Sequence, residues 1–105
     1  YCLTRYEYIN KNQIYVNNKF KRCSQDTWIL NSKFSKLKNK DLFKVKLGKP
    51  YCDNRIAYLL QKENFRIIND MKSIKSYHYH NSNVRNYNSE IDKIKGNILH
   101  IEPFI

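Results

Sequence analysis

Two histidines one residue apart are the first candidates for chemistry, in the stretch "SYHYHNSNVRNYN" at positions 76–88. On a strand, His78 and His80 would point the same way, roughly 6 to 7 Å apart at about 3.3 Å rise per residue. Two imidazoles so placed can reach one metal ion, or one can bind the ion while the other supports it. The competing interpretation is a pair of histidines that hydrogen-bond to neighbouring backbone.

A lone carboxylate in "LGKPYCDNRIAYLL" is the second candidate. Asp53 follows a loop broken by Gly48 and Pro50 and stands at the start of a helical pattern, where a ligand could approach it. A carboxylate there can act as a general base, although an N-cap or first-turn acid is its ordinary role. Arg55 is suited to binding a phosphate or carboxylate, and its simpler interpretation is a solvated helix residue.

The stretch "SQDTWIL" holds a third possible site, formed by Asp26 and Trp28. On a strand the two side chains would share a face, and a carboxylate near an indole suits sugar binding. The alternative is a turn aspartate before a core tryptophan. A zinc site formed by Cys52, His78 and His80 is conceivable, although the spacing of these three residues fits no zinc signature.

The first half of the chain reads mainly as strands. Residues 1–9 alternate as a strand does, "NKNQ" is a turn, and "IYVNNKF" is a second strand or a loop edge. The stretch "SQDTWIL" predicts a strand or a short helix. In "LFKVKL", apolar residues alternate with lysines, which predicts a half-buried strand with a solvated lysine face.

The pattern changes to a helical period after Cys52. Ile56, Leu59, Leu60 and Glu63 follow i, i+3, i+4, i+7 spacing and predict one main helix over about 53–63. Asn64 is expected to cap its C-terminus in the left-handed conformation. "FRII" and "SIKSYHYH" are predicted strands, and a short helix is expected near 89–95. We therefore expect a single α+β domain over residues 1–105, with short and mostly antiparallel strands.

The strongly basic charge permits several anionic partners. The net charge of +11 and a pI of about 9.7 suit nucleic acid, an anionic membrane surface or phosphorylated ligands. An abundance of Lys, Asn, Ile and Tyr is also what the codon bias of an AT-rich genome produces. A nucleic-acid-binding or nuclease-like module and a non-catalytic interaction domain therefore stay open as alternatives.

Cysteine usage and hydropathy indicate the compartment. The three cysteines are widely spaced and form no C-x-x-C pair, which predicts a reducing, cytoplasmic setting. No apolar run approaches the roughly 20 residues of a transmembrane helix, and the start does not resemble a signal peptide. The chain lacks an initiator methionine, so a piece of a longer protein is one expectation.

Taken together, the segments resemble the C-terminal half of a GT-A-fold glycosyltransferase of the β-1,4-galactosyltransferase-like or family 2-like kind. The resemblance rests on "YCLTRYEYI", "SQDTWI", "CDNRIAY" and "YHYHNSNVRNY", in that order, and covers most of residues 1–90. It is closer still to predicted glycosyltransferase-like proteins of bacteria and large DNA viruses. It implies a partial GT-A-like fold, a nucleotide-sugar donor and a glycan or protein acceptor.

The resemblance also implies a role for each matched residue. Asp53 falls on the catalytic base that takes a proton from the acceptor hydroxyl. His80, or His78, falls on the ligand of a divalent metal, Mn²⁺ with Mg²⁺ as the alternative, bound to the donor diphosphate. Asp26 and Trp28 would lie near the acceptor. Three residues belong to a loop that can fold over the nucleotide sugar: Asn83, Arg85 and Tyr87.

The chain departs from that pattern at several positions. Only Asp53 remains of an acidic cluster, Tyr51 replaces a glycine before Cys52, Asn64-Phe65 replaces Gly-Tyr, and Asp70 replaces a proline. The D-x-D motif and the nucleotide-binding half are missing. The resemblance therefore implies a fragment, a chain that pairs with another chain, or a protein that has lost the activity.

Overall fold

A computed structural model describes residues 1–16, 21, 25–79 and 91–103. Within these residues the structure has four strands, β1 (Cys2–Asn10), β2 (Gln13–Tyr15), β3 (Gln25–Trp28) and β4 (Ser76–Tyr79), and one α-helix, α1 (Cys52–Lys62). Two 3₁₀ helices, Ser32–Lys36 and Lys40–Phe43, lie between β3 and α1. The α+β class with one main helix is confirmed.

The long strand β1 is the common partner of the other three strands. Antiparallel β3 pairs with its beginning, parallel β4 with residues 5–8 and antiparallel β2 with its end. Bulges interrupt the register at Leu3/Thr4 and at Tyr8/Asn10. Two of the three pairings are antiparallel, as expected, and the parallel one brings "YEY" of β1 beside "YHY" of β4.

Helix α1 begins and ends at residues with positive φ. Tyr51 at its N-cap has a φ of 68°, and Asn64 just beyond its C-cap has a φ of 66°. The Asn64 N–H donates to the Gln61 carbonyl at 3.0 Å and the Phe65 N–H to the Leu60 carbonyl at 3.0 Å. This hydrogen-bond pair is a Schellman motif, which confirms the predicted Asn64 cap. No helix in the described part of the chain has the length and apolar character needed to cross a bilayer.

The core lies between α1 and the beginning of β1. Cys2, Ala57 and Leu60 are buried at its centre. Larger side chains from β3, the 3₁₀ helices and the C-terminal segment pack around them: Trp28, Phe34, Phe43, Ile56, Phe65, Ile67, Leu99 and Ile101. The stretch after Asn97 is thereby fastened to α1, and the Leu99 N–H donates to the Asn54 carbonyl at 3.0 Å.

A buried asparagine ties the C-terminal segment to the sheet. The Asn69 side chain accepts from the Thr4 N–H at 2.9 Å and donates to the Thr4 hydroxyl at 2.7 Å. It also donates to the Ile101 carbonyl at 3.0 Å. Both ends of this amide are therefore satisfied, as a buried polar side chain requires.

The predicted strand "LFKVKL" is wrong. Residues 40–43 form a 3₁₀ helix, and residues 44–46 have no regular structure. Phe43 packs edge-on against Phe34, with ring centroids 5.1 Å apart. The alternation did indicate which side chains turn inward: Phe43 and Val45 are half-buried, and the lysines beside them are exposed. A β-strand also needs a neighbouring strand to which its backbone hydrogen-bonds. Within the described residues this segment has no such neighbouring strand.

Two further predictions, a strand and a short helix, are also wrong, and long-range backbone hydrogen bonds occur at both segments instead. "FRII" is not a strand, although its Ile68 carbonyl accepts from the Cys2 N–H at 2.9 Å. The short helix expected near 89–95 is not formed over residues 91–95, and residues 89 and 90 lie outside the described part. There the Ile94 N–H donates to the Pro50 carbonyl at 2.9 Å, a long-range contact that replaces a local helical bond.

Candidate functional site

Three charged side chains and one histidine form a continuous row across three strands, which we call the charged cluster: Asp26, Arg5, Glu7 and His78. The Arg5 guanidinium donates to both Asp26 oxygens, at 2.9 and 3.1 Å, and to Glu7 Oε1 at 2.8 Å. The second oxygen of Glu7 lies 2.9 Å from His78 Nδ1. Asp26 is the most exposed acid of the row and is open to a ligand.

The pKa values of Glu7 and Arg5 are shifted in the directions that favour their charged forms. Burial alone would raise the pKa of Glu7, but hydrogen bonds from His78 and Arg5 outweigh it and lower that pKa below its usual range. Burial likewise opposes the charge of Arg5, yet Asp26 and Glu7 raise the pKa of the guanidinium. Arg5 and Glu7 are therefore held by charge-assisted hydrogen bonds that favour their charged forms.

Asp53 stands next to the cluster with different electrostatics. Its Oδ2 accepts from the Gln25 N–H and its Oδ1 from the Asn54 N–H, both at 3.0 Å. Burial raises the pKa of Asp53, these hydrogen bonds oppose the rise, and the negative charge of Asp26 adds to it. A half-buried carboxylate with a raised pKa is suited to accepting a proton.

Buried amides connect Asp53 to β3. Asn54 Nδ2 lies 3.4 Å from Gln25 Oε1 and 3.4 Å from the Leu99 carbonyl. Gln25 Nε2 and Ser76 Oγ are buried without a hydrogen-bond partner among the described residues. Ser76 pairs with Arg5 of the charged cluster, whereas Gln25 precedes Asp26 on β3 and points to the opposite face of the strand, towards Asn54. An unmet buried donor costs about 1–3 kcal/mol.

The structure thus brings three of the predicted residues together. Asp26 and His78 belong to the charged cluster, and Asp53 binds the backbone of the residue before Asp26. Arg5 and Glu7, which link them, were not singled out from the sequence. Their signal was present in "TRYEY", where opposite charges at i and i+2 of a strand point to the same face.

Two other predicted residues have contacts elsewhere. Trp28 packs against the core, and its buried Nε1 has no acceptor among the described residues. Arg55 donates to the Asn97 carbonyl at 2.9 Å and lies over the Tyr58 ring, 5.4 Å from its centroid. Both contacts hold the fold, and the ligand-binding roles of these side chains remain predictions. The remaining predicted residues lie outside the described part: His80, Asn83, Arg85 and Tyr87.

The described residues do not complete a metal site. Within residues 1–79 and 91–103, less the gaps named above, no three His, Cys, Asp or Glu side chains form a group that could hold an ion. His78 does have a carboxylate on Nδ1, which is how proteins orient a metal-ligating imidazole. The acids of the cluster are engaged with Arg5 and His78. The metal prediction therefore depends on His80 and stays a prediction.

The other face of the same strands carries aromatic rings, which we call the tyrosine face: Tyr6, Tyr8, Tyr77 and Tyr79. Tyr8 stacks on Tyr79 with centroids 4.3 Å apart, and Tyr6 lies 5.8 Å from Tyr77. Tyr77 and Tyr79 are 48% and 72% exposed. Lys75 lies over the Tyr6 ring at 5.8 Å. The sheet therefore has one charged face and one aromatic face.

No family model matches this chain, and neither curated proteins nor solved structures give a match. Function therefore has to be inferred from the residues and their geometry.

Proposed function

We propose that this chain is the acceptor-side part of a glycosyltransferase, which transfers a sugar from a nucleotide-sugar donor to a hydroxyl of a glycan or protein. One observation carries the proposal: the segments that resemble that family meet through their most distinctive residues. Gln25 of "SQDTWI" binds Asp53 and Asn54 of "CDNRIAY". Glu7 of "TRYEY" binds His78 of "YHYH".

Backbone geometry gives independent support. Tyr51 and Asn64 are the two non-glycine residues with positive φ in the described part of the chain. At both positions the resembling pattern has glycine, as it does at the position of Gly48, which has a φ of 81° here. Glycine adopts positive φ without steric cost, so the glycines of the resembling pattern suit the backbone conformation at these two positions. The agreement covers both ends of α1.

In the proposed reaction Asp53 is the proton acceptor. The acceptor hydroxyl oxygen attacks the anomeric carbon of the donor, and the bond from that carbon to the diphosphate breaks. The electron pair leaves with the nucleoside diphosphate, and the hydroxyl proton moves to an Asp53 oxygen. The raised pKa of Asp53 favours this transfer, because a stronger base takes the proton more readily.

The charged cluster would orient the acceptor. Asp26 is partly exposed and is fixed by two hydrogen bonds from Arg5, so its orientation is set before a ligand arrives. A carboxylate so held can accept hydrogen bonds from two neighbouring sugar hydroxyls. Preorganisation of this kind lowers the entropic cost of binding.

A thermal-shift titration tests donor binding. The protein is titrated with Mn²⁺, Mg²⁺ and a panel of nucleotide sugars, alone and together, as wild type, His80→Ala and His100→Ala. A ligand at about 100 times its Kd adds roughly 2.7 kcal/mol, a shift of about 10 °C in a domain of this size. We expect a metal-dependent nucleotide-sugar shift that His80→Ala removes and His100→Ala, a control at an exposed histidine, retains. No shift with metal and any nucleotide sugar, either in this chain or in a protein that also holds the nucleotide-binding half, contradicts the proposal.

The role of Asp53 has its own test. In the full-length protein, Asp53→Asn should abolish sugar transfer while nucleotide-sugar affinity stays nearly unchanged, because the amide keeps the shape and loses the basic oxygen. Asp70→Asn, the same change at a carboxylate outside the site, is the matched control. Turnover of Asp53→Asn close to wild type would remove Asp53 as the base.

The tyrosine face favours a second candidate function, single-stranded nucleic-acid binding. Exposed aromatic rings on a sheet, with a lysine beside them, are the platform on which such proteins stack bases. This candidate predicts salt-dependent binding of an unstructured oligonucleotide, weakened several-fold by Tyr77→Ser and Tyr79→Ser. Fluorescence anisotropy of a labelled oligonucleotide decides it, and absence of binding at low salt excludes it.

A further inference from the structure

A second charged surface is formed by the segment that follows β3. Residues 29–49 contain seven lysines, one aspartate and no arginine, and so hold more than half of the net charge of +11. Six of the lysines are exposed: Lys33, Lys36, Lys38, Lys40, Lys44 and Lys46. Neither 3₁₀ helix of this region contains a buried residue.

Exposed aliphatic side chains lie among these lysines. Leu42 is 50% exposed and Leu47 is 62% exposed, and Ile29 and Leu30 are exposed as well. We call these residues and the six exposed lysines the lysine–leucine face. Large aliphatic groups in contact with water are unfavourable, so a contiguous group of them marks an interaction surface.

An open apolar cavity of about 240 Å³ lies within this face. Leu30 and Leu47 are at its walls together with Phe43, Val45 and Trp28. The Phe34–Phe43 contact joins the two 3₁₀ helices beside it. Leu30 and Leu47 therefore border one apolar surface that continues inward. Leu42 precedes the cavity-lining Phe43 in the second 3₁₀ helix.

We propose that the lysine–leucine face docks on the surface of an anionic lipid bilayer, a property separate from the proposed glycosyltransferase function. The lysines are attracted to anionic headgroups, and Leu42 and Leu47 enter the boundary between headgroups and acyl chains. This combination of basic and aliphatic side chains is that of interfacial membrane-binding segments. Charge complementarity selects an anionic surface over a neutral one.

The side-chain chemistry favours lipid over nucleic acid at this face. Nucleic-acid surfaces use arginine forks and exposed aromatic rings to contact bases. Here there is no arginine, the exposed apolar residues are aliphatic, and the two phenylalanines pack against each other. Aliphatic side chains have no favourable partner on a phosphate backbone, whereas acyl chains accept them.

Vesicle co-sedimentation tests the proposal. Vesicles of phosphatidylcholine alone are compared with vesicles of equal parts phosphatidylcholine and phosphatidylglycerol. We expect binding to the anionic vesicles only, weakened by salt. Replacing Lys36, Lys38 and Lys46 by Gln should reduce the partition coefficient roughly 100-fold, since each basic residue near the surface contributes about fivefold. A matched triple of exposed lysines elsewhere serves as the control: Lys11, Lys72 and Lys75.

Insertion of the leucines needs a separate measurement. Leu42→Ser with Leu47→Ser should weaken vesicle binding at least tenfold, whereas Ile14→Ser, an exposed aliphatic residue on β2, should leave it unchanged. Trp28 is the sole tryptophan and lines the cavity, so lipids brominated on their acyl chains should quench its fluorescence.

Four results of the vesicle experiments would overturn the proposal, and one competition result would do so as well. They are no binding to anionic vesicles, equal binding to both kinds of vesicle, equal loss in the control lysine triple, and vesicle binding unaffected by the leucine changes. Competition by soluble glycerol phosphate at millimolar concentration would also overturn it, because headgroup chemistry alone would then explain the interaction. None of these outcomes depends on whether the chain transfers sugars.

Discussion

In the charged cluster each carboxylate lies within hydrogen-bond distance of a cationic side chain, whereas most lysines of the lysine–leucine face pair with no acid among the described residues. Arg5 joins Asp26 and Glu7 at 2.8 to 3.1 Å. On the other face Lys44 meets Asp41 at 3.1 Å, with both side chains almost fully exposed. The cluster fixes the direction of a few charges, while the face holds like charges at the surface.

The difference lies in solvation. Half-buried charges are screened weakly and are costly to leave alone, so they are paired and oriented. Fully exposed lysines are screened by water and salt, so their individual contacts contribute little, and only their summed field acts at a distance. Charge in the cluster is therefore suited to orienting a ligand, and charge on the face is suited to attracting a surface.

Removing Arg5 should give the largest loss of stability. Arg5→Ala leaves Glu7 and Asp26 without their shared cation, and we expect the free energy of unfolding to fall by about 2 kcal/mol. Urea denaturation measures it. Lys46→Ala on the lysine–leucine face is the control and should change stability by less than about 0.5 kcal/mol. Equal losses of stability in Arg5→Ala and Lys46→Ala would mean that the ion pairs of the charged cluster stabilise the fold no more than an exposed lysine does.

The stability contributions of Glu7 and Asp53 should respond to pH in opposite directions. The pKa of Glu7 is lowered in the fold, so its stabilising contribution is present above its ordinary pKa and is lost as pH falls below it. The pKa of Asp53 is raised, so its ionised form destabilises the fold, and this penalty disappears as pH falls towards the ordinary value.

Unfolding measured between pH 3 and 7 separates these contributions. Glu7→Gln should cost about 1 kcal/mol at pH 7 and should flatten the acid limb of the stability curve. Asp53→Asn should cost less than about 1 kcal/mol and should remove the opposing slope above the ordinary pKa. Identical pH profiles for wild type and Glu7→Gln would show that the Glu7–His78 contact is not maintained in solution.

The turn that connects the lysine–leucine face to α1 should give the smallest effect, and a favourable one. Tyr51 has a φ of 68° and is exposed, so Tyr51→Gly relieves backbone strain without opening a cavity. We expect a gain of roughly 0.5–1 kcal/mol in the free energy of unfolding. Asn64→Gly should gain less, because asparagine tolerates this conformation better than tyrosine. Destabilisation by Tyr51→Gly would mean that the ring makes a needed contact.

Local patterns in the sequence predicted several elements well. The helical spacing from Ile56 to Glu63 and the cap at Asn64 were correct, because both depend on neighbours within one or two turns. The alternation in "SIKSYHYH" predicted β4, with Tyr77 and Tyr79 exposed and His78 half-buried. "LFKVKL" has the same alternation and is not a strand, since alternation shows which side is buried and not whether a neighbouring strand exists.

The sequence by itself determined the composition of the site, and the tertiary structure decided its connections. Asp26, Asp53 and His78 could be chosen by residue type and by position in their segments. Arg5 and Glu7 could not be recognised as their link, because Arg5 meets Asp26 across 21 positions and Glu7 meets His78 across 71. Such pairs depend on which strands lie side by side, here the parallel pairing of β1 with β4. Which strands lie side by side depends on how the whole chain buries its core, and no short stretch of sequence carries that information.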